Sequence, residues 1–308
     1  MHNSRTSRFR SSVGLGTVWG AAVILLAALT ACQPTFVVNQ LAPRDGFGVQ
    51  RDLVYGPDPR HRLDLYVPSA RPVNKAIVVF VHGGGWDSGD KDQYLFVGQA
   101  FASLGYITAI PNYRLYPQVQ FPEFVDDVAR AVAALDRLLT AEACAGRLEV
   151  ILVGHSAGAH TAAMLATDRS YLTRNRADVD LRAFIGLAGP YDLPLNDPGV
   201  VGKFENVSHE LEANPVALAG AATPQTLLIH GDRDKTVGPH HTQRLRAKLE
   251  RLGVPTTVCI YPDTNHTRVV GSLASSLRFL NPAFEDIERF LHAAELDQAC
   301  VQSAEDAA

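Results

Sequence analysis

Residues 154–158 read Gly-His-Ser-Ala-Gly, and the run before them, 148–153, is apolar and β-branched except for Glu149. A buried strand, a glycine-flanked serine and then a segment of small residues able to continue as a helix leave few folds open. The turn joining such a strand to such a helix is so tight that its flanking positions have almost no room for side chains. Gly154 and Gly158 stand at those positions, with Ala157 just after the serine. A strained turn of this kind lifts the Ser156 hydroxyl above the edge of a sheet, where a histidine can reach it.

The rest of the chain alternates strand and helix patterns. Residues 49–55 and 63–67 alternate in polarity around Gly56-Pro57-Asp58-Pro59 and predict a hairpin. The continuous apolar run 76–81 predicts a strand buried on both faces, and 106–110, 148–153, 183–187, 226–229 and 256–261 are further strands. In 123–139 the apolar residues Phe124, Val128, Ala131, Val132, Leu135 and Leu139 recur at helical steps. Residues 157–167, 240–252 and 282–297 are the other helices. Such alternation predicts an α/β protein with a mostly parallel sheet and helices on both faces. Its chemistry should gather at the carboxyl ends of the strands.

Four further features lie at those ends. The run 76–81 leads into His82-Gly83-Gly84-Gly85-Trp86, whose bare amides can approach an oxyanion, with the Ala157 amide as partner. The strand 226–229 leads into His230-Gly231-Asp232-Arg233-Asp234, where either carboxylate could orient an imidazole. Asp232 directly follows the glycine and suits the turn, so Asp234 is the expected acid. The strand 256–261 leads into Pro262-Asp263-Thr264-Asn265-His266, and of eleven histidines only His266 occupies the position a general base needs. His82, His155, His240 and His241 are read as structural. Asn112-Tyr113-Arg114-Leu115 is a polar turn entering a helix, and is also read as structural.

Together these residues, with Gly89-Asp90-Lys91, resemble the α/β-hydrolase esterases of the hormone-sensitive-lipase and feruloyl-esterase-like type, and are similar to arylformamidases. The resemblance covers about 50–295. It implies an α/β-hydrolase fold with nucleophile Ser156, acid Asp234, base His266 and an oxyanion hole from Gly84, Gly85 and Ala157. The expected activity is cleavage of small-molecule carboxylic esters through an acyl-enzyme, with formamide hydrolysis as the alternative. The lipase version of the second motif begins with Asp where this chain has Asn112, which directs the comparison to the smaller esterases. A peptidase or a non-catalytic binding protein on the same fold is less consistent with a complete triad and no accessory domain to gate peptides.

The irregular, proline-containing stretch 190–222 is expected to be a small lid, with Trp86, Tyr191 and Leu193 as apolar walls of the substrate pocket. No metal or other cofactor is expected, because no nucleotide loop, zinc helix or Cys/His finger spacing occurs. The formal charge of −4 gives no support to nucleic-acid binding.

The beginning of the chain is a targeting pattern. Arg5, Arg8 and Arg10 precede the apolar stretch 18–29, which ends in Leu29-Thr30-Ala31-Cys32. Those four residues resemble a bacterial lipobox. The reading is a signal peptide over 1–31, a lipidated Cys32 anchoring the protein to a membrane, a tether over 32–48, a catalytic domain over 49–298 and a tail over 299–308. The protein is then expected to face the periplasm or the cell exterior, and Gln33 rather than Asp after the cysteine points to the outer membrane. Cys259, within a predicted strand, is expected to be a buried free thiol, while Cys144 and Cys300 could pair in an oxidising compartment. Oligomeric state is not read from the sequence.

Overall fold

In the computed structural model, described over residues 34–70, 75–140 and 147–293, eight strands form one sheet. They are β1 (Phe47–Val54), β2 (Arg62–Pro68), β3 (Ile77–Val81), β4 (Thr108–Pro111), β5 (Leu148–His155), β6 (Val179–Leu187), β7 (Gln225–Gly231) and β8 (Thr256–Tyr261). Their spatial order is β1-β2-β4-β3-β5-β6-β7-β8. Only β2 runs against its neighbours, pairing antiparallel with β1 and β4; the remaining pairs are parallel. With helices packed against it, this is the α/β-hydrolase fold.

Alternation along the central strands sends side chains to two cores. Val79 and Val81 of β3 and Val150 and Leu152 of β5 enter one core. Val78, Phe80, Ile151 and Val153 enter the other. The helices α1 (Pro34–Leu41), α2 (Leu95–Ser103), α3 (Glu123–Thr140), α4 (Ala157–Thr167), α5 (Ser170–Arg174), α6 (Pro215–Leu218), α7 (His240–Arg251) and α8 (His266–Gly271) follow, with a further helix over 283–293. The apolar stripe of α3 supplies Phe124, Val128, Ala131, Val132 and Leu135 to the first core, as its 3- and 4-residue steps predict.

Two differences from the sequence reading have physical causes. The stretch expected to be a free tether folds instead: α1 docks on the domain. The Asn39 amide donates to the Asp92 carbonyl at 2.7 Å, and its carbonyl oxygen accepts from the Phe96 amide at 3.3 Å. Helix α2 has no place in the sequence reading because it is buried almost all round, from Leu95 to Ala102, and so shows no polar face. Its Gly98 lies against the ring of Tyr66, where a Cβ would collide.

Cys259 is free but only half-buried, because β8 is the edge strand. Burial and then the neighbouring Asp286 push its thiol up to about 11. Cys32, Cys144 and Cys300 lie outside the described residues, as do the expected signal peptide and tail. No described helix is long and apolar enough to cross a membrane.

Candidate active site

Ser156 sits between β5 and α4 with φ 56° and ψ −125°, a left-handed conformation that L side chains rarely adopt. Its amide donates to the Leu187 carbonyl at 2.9 Å, which ties the elbow to β6. A Cβ on Gly154 would strike the carbonyl of Gly158, and one on Gly158 would strike the carbonyls of Val81 and His82. The two glycines therefore let α4 close against the end of β3. The serine itself is half-buried.

The loop after β3 crosses directly over this elbow. A Cβ at Gly83 would lie 3.1 Å from the Ser156 Cβ. Gly84, Gly85 and Trp86 take φ values of 122°, 59° and 62°. Among the described residues, the amides of Gly84, Gly85 and Ala157 donate to no protein acceptor. The loop is held from behind. His82 is fully buried, stacks on Tyr113 at 4.4 Å, and its Nδ1 donates to the Gly83 carbonyl at 2.8 Å. Tyr113 Oη donates to the His82 carbonyl at 2.9 Å. The Asn112 side chain donates to Asp90 at 2.9 Å and accepts from the Lys91 amide at 2.7 Å. Arg114 grips the buried Asp127 of α3 through two nitrogens at 2.8 and 2.7 Å. The Asn112-Tyr113-Arg114-Leu115 turn thus braces the glycine loop.

His266 opens α8, and its Nδ1 donates to Asp234 Oδ2 at 2.7 Å. Asp234 Oδ1 accepts the amides of Thr236 and Val237, both at 2.9 Å. Burial alone would raise the pKa of this carboxyl. Hydrogen bonds from His230 and His266 and from the Val237 amide outweigh it, and hold the group well below the usual carboxylate range. Asp232, by contrast, is exposed, and only its amide is engaged, with the Tyr261 carbonyl at 3.0 Å. His266 also lies against the elbow: its ring is 4.9 Å from that of His155, whose Nε2 donates to the His266 carbonyl at 3.2 Å. No hydrogen bond joins the Ser156 hydroxyl to His266. Such bonds are often long before substrate binds.

The BD-FAE family model matches residues 63–249, more than half of the chain. The chain belongs to the BD-FAE family. Among curated proteins, the isoprenylcysteine alpha-carbonyl methylesterase ICME of Arabidopsis thaliana is 28% identical over 81% of this chain, which spans 63% of that relative's length. The kynurenine formamidase of Danio rerio is 30% identical over 46% of each chain. Among solved structures, inhibited esterase B from Lactobacillus rhamnosis superposes with a TM-score of 0.71 at 18% identity, covering 94% of this chain and 99% of that one. At that identity the likeness speaks to the fold.

The BD-FAE match ends at residue 249, before His266. Within it, the expected wall residues depart from the sequence reading. Tyr191 is fully buried and Leu193 nearly so. Tyr191 fills the space left by Gly186 and Gly189, where a Cβ would meet its ring or hydroxyl. The Leu193 amide and carbonyl are both bound by the Asn214 side chain. Both are packed into the core at the base of the insertion. Trp86 is also buried, 5.2 Å from the ring of His160 and 5.0 Å from that of Phe204.

The BD-FAE insertion between β6 and β7 contains two short 3-10 turns and α6. Lys203 Nζ meets Asp87 Oδ2 at 2.6 Å, beside the glycine loop. The Phe121 amide donates to the Lys203 carbonyl at 2.8 Å, and the Gln120 side chain donates to the Gly202 carbonyl at 2.8 Å. Phe204 stacks on Phe121 at 5.2 Å. His160 of α4 donates through Nε2 to the Ala213 carbonyl at 2.7 Å. The insertion is therefore fastened to the glycine loop, the 116–122 loop and α4.

Buried imidazoles, among them His82, His155, His160 and His241, make this BD-FAE domain sensitive to acid. Burial pushes His82 and His160 down to about 4, and burial with the neighbouring His266 pushes His155 down to about 3. An unfolded chain protonates its histidines near 6.5. Below that pH the unfolded state binds more protons than the folded one, so stability falls as pH falls from about 6.5 towards 4. Asp234 adds no slope in that window: the stabilisation from its depressed carboxyl is fully present there and is lost only as pH falls below its unfolded pKa of about 3.9. Each histidine adds a slope of about 1.4 kcal/mol per pH unit. Urea midpoints measured at pH 7, 6 and 5 are expected to fall steadily; a flat profile would contradict this.

Proposed function

We propose that the protein is a serine hydrolase that cleaves carboxylic esters through an acyl-enzyme. The observation that carries this is the buried Asp234 bonded at 2.7 Å to the half-buried His266 beside a strained Ser156, under a loop whose amides are unclaimed. Asp234 holds the His266 tautomer with Nδ1 protonated, leaving Nε2 to take the proton of the Ser156 hydroxyl. The serine oxygen attacks the ester carbonyl, and the Gly84, Gly85 and Ala157 amides stabilise the oxyanion. His266 returns the proton to the departing alcohol. Water then attacks the acyl group, with His266 again as base, and releases the acid and free serine. The methylesterase and esterase relatives act in the direction of this reading.

Formamide hydrolysis is the second reading, supported by the similarity to kynurenine formamidase and by a triad that does not itself choose the acyl group. A panel of p-nitrophenyl esters of rising acyl length, tested beside N-formylated aromatic amines, separates the two. Turnover of short esters is the expected outcome. Activity confined to the formylated amines would replace the ester reading with the formamide one.

The insertion over 190–222 caps the substrate pocket in this proposal. Its support is the fastening of Lys203 and Phe204 to the loops around Ser156. Shortening 196–210 is expected to shift the preferred acyl length on the same panel. An unchanged preference would remove the capping role.

Anchoring of the exported protein through a lipidated Cys32, on the outer membrane, is also proposed; it rests on the sequence pattern of residues 1–32. Burying acyl chains stabilises attachment by about 0.8 kcal/mol per CH₂, and stable anchoring needs more than one chain. A diacylglyceryl cysteine meets that need. Mass spectrometry of the membrane fraction should show a modified N-terminal Cys32, with Cys32→Ser released from membranes. An unmodified Cys32 would refute the anchor.

A further inference from the structure

His230, the penultimate residue of β7, has no part in the reaction above, yet it touches the carboxylate on which the reaction depends. It is fully buried. Its Nε2 lies 2.9 Å from the Val237 carbonyl oxygen and 3.3 Å from Asp234 Oδ2, and its Nδ1 lies 2.8 Å from Thr242 Oγ1 on α7. A carbonyl oxygen can only accept, so Nε2 carries a proton. In the neutral ring, Nδ1 then accepts from the Thr242 hydroxyl. Thr242 is itself fully buried, so this partner is held in place.

The consequence falls on Asp234. The bend 234–237 carries the carboxylate, and the Val237 amide donates to Asp234 Oδ1 while the Val237 carbonyl is held by His230. The same Nε2–H also flanks Oδ2, at 3.3 Å. Each carboxylate oxygen therefore has two neighbouring donors: Thr236 and Val237 amides at Oδ1, and His266 and His230 rings at Oδ2. A carboxylate so surrounded cannot rotate about its Cβ–Cγ bond without losing donors, and Oδ2 stays aimed at His266 Nδ1. The remaining imidazole at the base, His155, binds the backbone of His266 and does not reach Asp234 by any hydrogen bond.

We propose that His230 is a positioning residue: with Nε2 protonated by the demand of the Val237 carbonyl and the ring seated on Thr242, it locks Asp234 in the orientation that His266 requires. This rests on the triad reading of the preceding subsection. A misaligned pair of this kind costs about 10²-fold in rate, and the loss belongs in kcat, because His230 is walled off from substrate.

Two substitutions of similar size separate positioning from packing. His230→Gln can present an amide N–H near the place of Nε2, whereas His230→Asn reaches only the place of Nδ1. On p-nitrophenyl acetate, His230→Asn is expected to lose about 10²-fold in kcat with KM nearly unchanged, while His230→Gln retains most of kcat. Thermal melting of both variants provides the stability control. Nitrogen NMR of the wild-type protein should show the His230 ring protonated at Nε2. Equal kcat in the two variants, a loss expressed in KM, a loss that simply follows melting temperature, or a ring protonated at Nδ1 would each overturn the proposal. Ser156→Ala assayed in parallel distinguishes the two levels. If it is inactive, any such failure touches His230 alone; if it is as active as wild type, the triad reading falls and the positioning role with it.

Discussion

Ser156→Ala is expected to abolish ester turnover almost completely, lowering kcat on a short-chain p-nitrophenyl ester by on the order of 10⁶-fold. The methyl side chain occupies the same strained position, at φ 56°, so the fold should survive the change. With no oxygen to form an acyl-enzyme, only binding and the oxyanion amides remain, and these alone leave a small residual acceleration over water. The measurement is kcat for both proteins, with melting temperature as the control. Undiminished turnover by a folded Ser156→Ala variant would refute the nucleophile assignment and with it the acyl-enzyme.

Asp234→Asn should be the second largest effect, a loss of about 10⁴-fold in kcat. The carboxamide is nearly the same shape but cannot accept at both oxygen positions, so the His266 Nδ1 proton loses its partner or the amide turns and breaks the bonds from Thr236 and Val237. Asp232→Asn is the matched comparison, because it lies two residues away and is exposed. It should change kcat only a few fold. A larger loss at Asp232 than at Asp234 would reverse the assignment of the acid.

The elbow was legible in the sequence because its demands are local. Gly154 is required by the Gly158 carbonyl in the first turn of the following helix, and a tight turn has few solutions; Gly158 answers instead to the Val81 and His82 carbonyls at the end of β3, a contact that only the fold creates. Asp234 and His266 were legible for a related reason: each follows an apolar strand, and in a parallel sheet strand ends converge on one edge. The choice of Asp234 over Asp232 was made on position alone; the structure buries the first and exposes the second.

Other features depended on contacts between distant segments. Tyr191 reads as an apolar residue after a strand, equally suited to a pocket wall or to the core. Only the space opened by Gly186 and Gly189 sends it inward. His230 reads as one more histidine beside a glycine. Its significance comes from Thr242 on a helix twelve residues later and from the bend that returns Val237 to its ring. Helix α2 has no legible period because every face meets protein.

By itself, then, the sequence determined the α/β class, the turn that strains Ser156, and which residues stand at strand ends, since all of these follow from side-chain periodicity and from sterics over a few residues. Only the tertiary structure decided that 34–41 docks as a helix, that the insertion is fastened over the glycine loop through Lys203 and Phe204, and that Asp234 is surrounded by four donors. Those outcomes depend on the sheet order β1-β2-β4-β3-β5-β6-β7-β8, which brings together groups far apart in the chain. Hydrogen bonds and packing act over a few ångströms in space, and a linear pattern carries no record of which remote segments will meet.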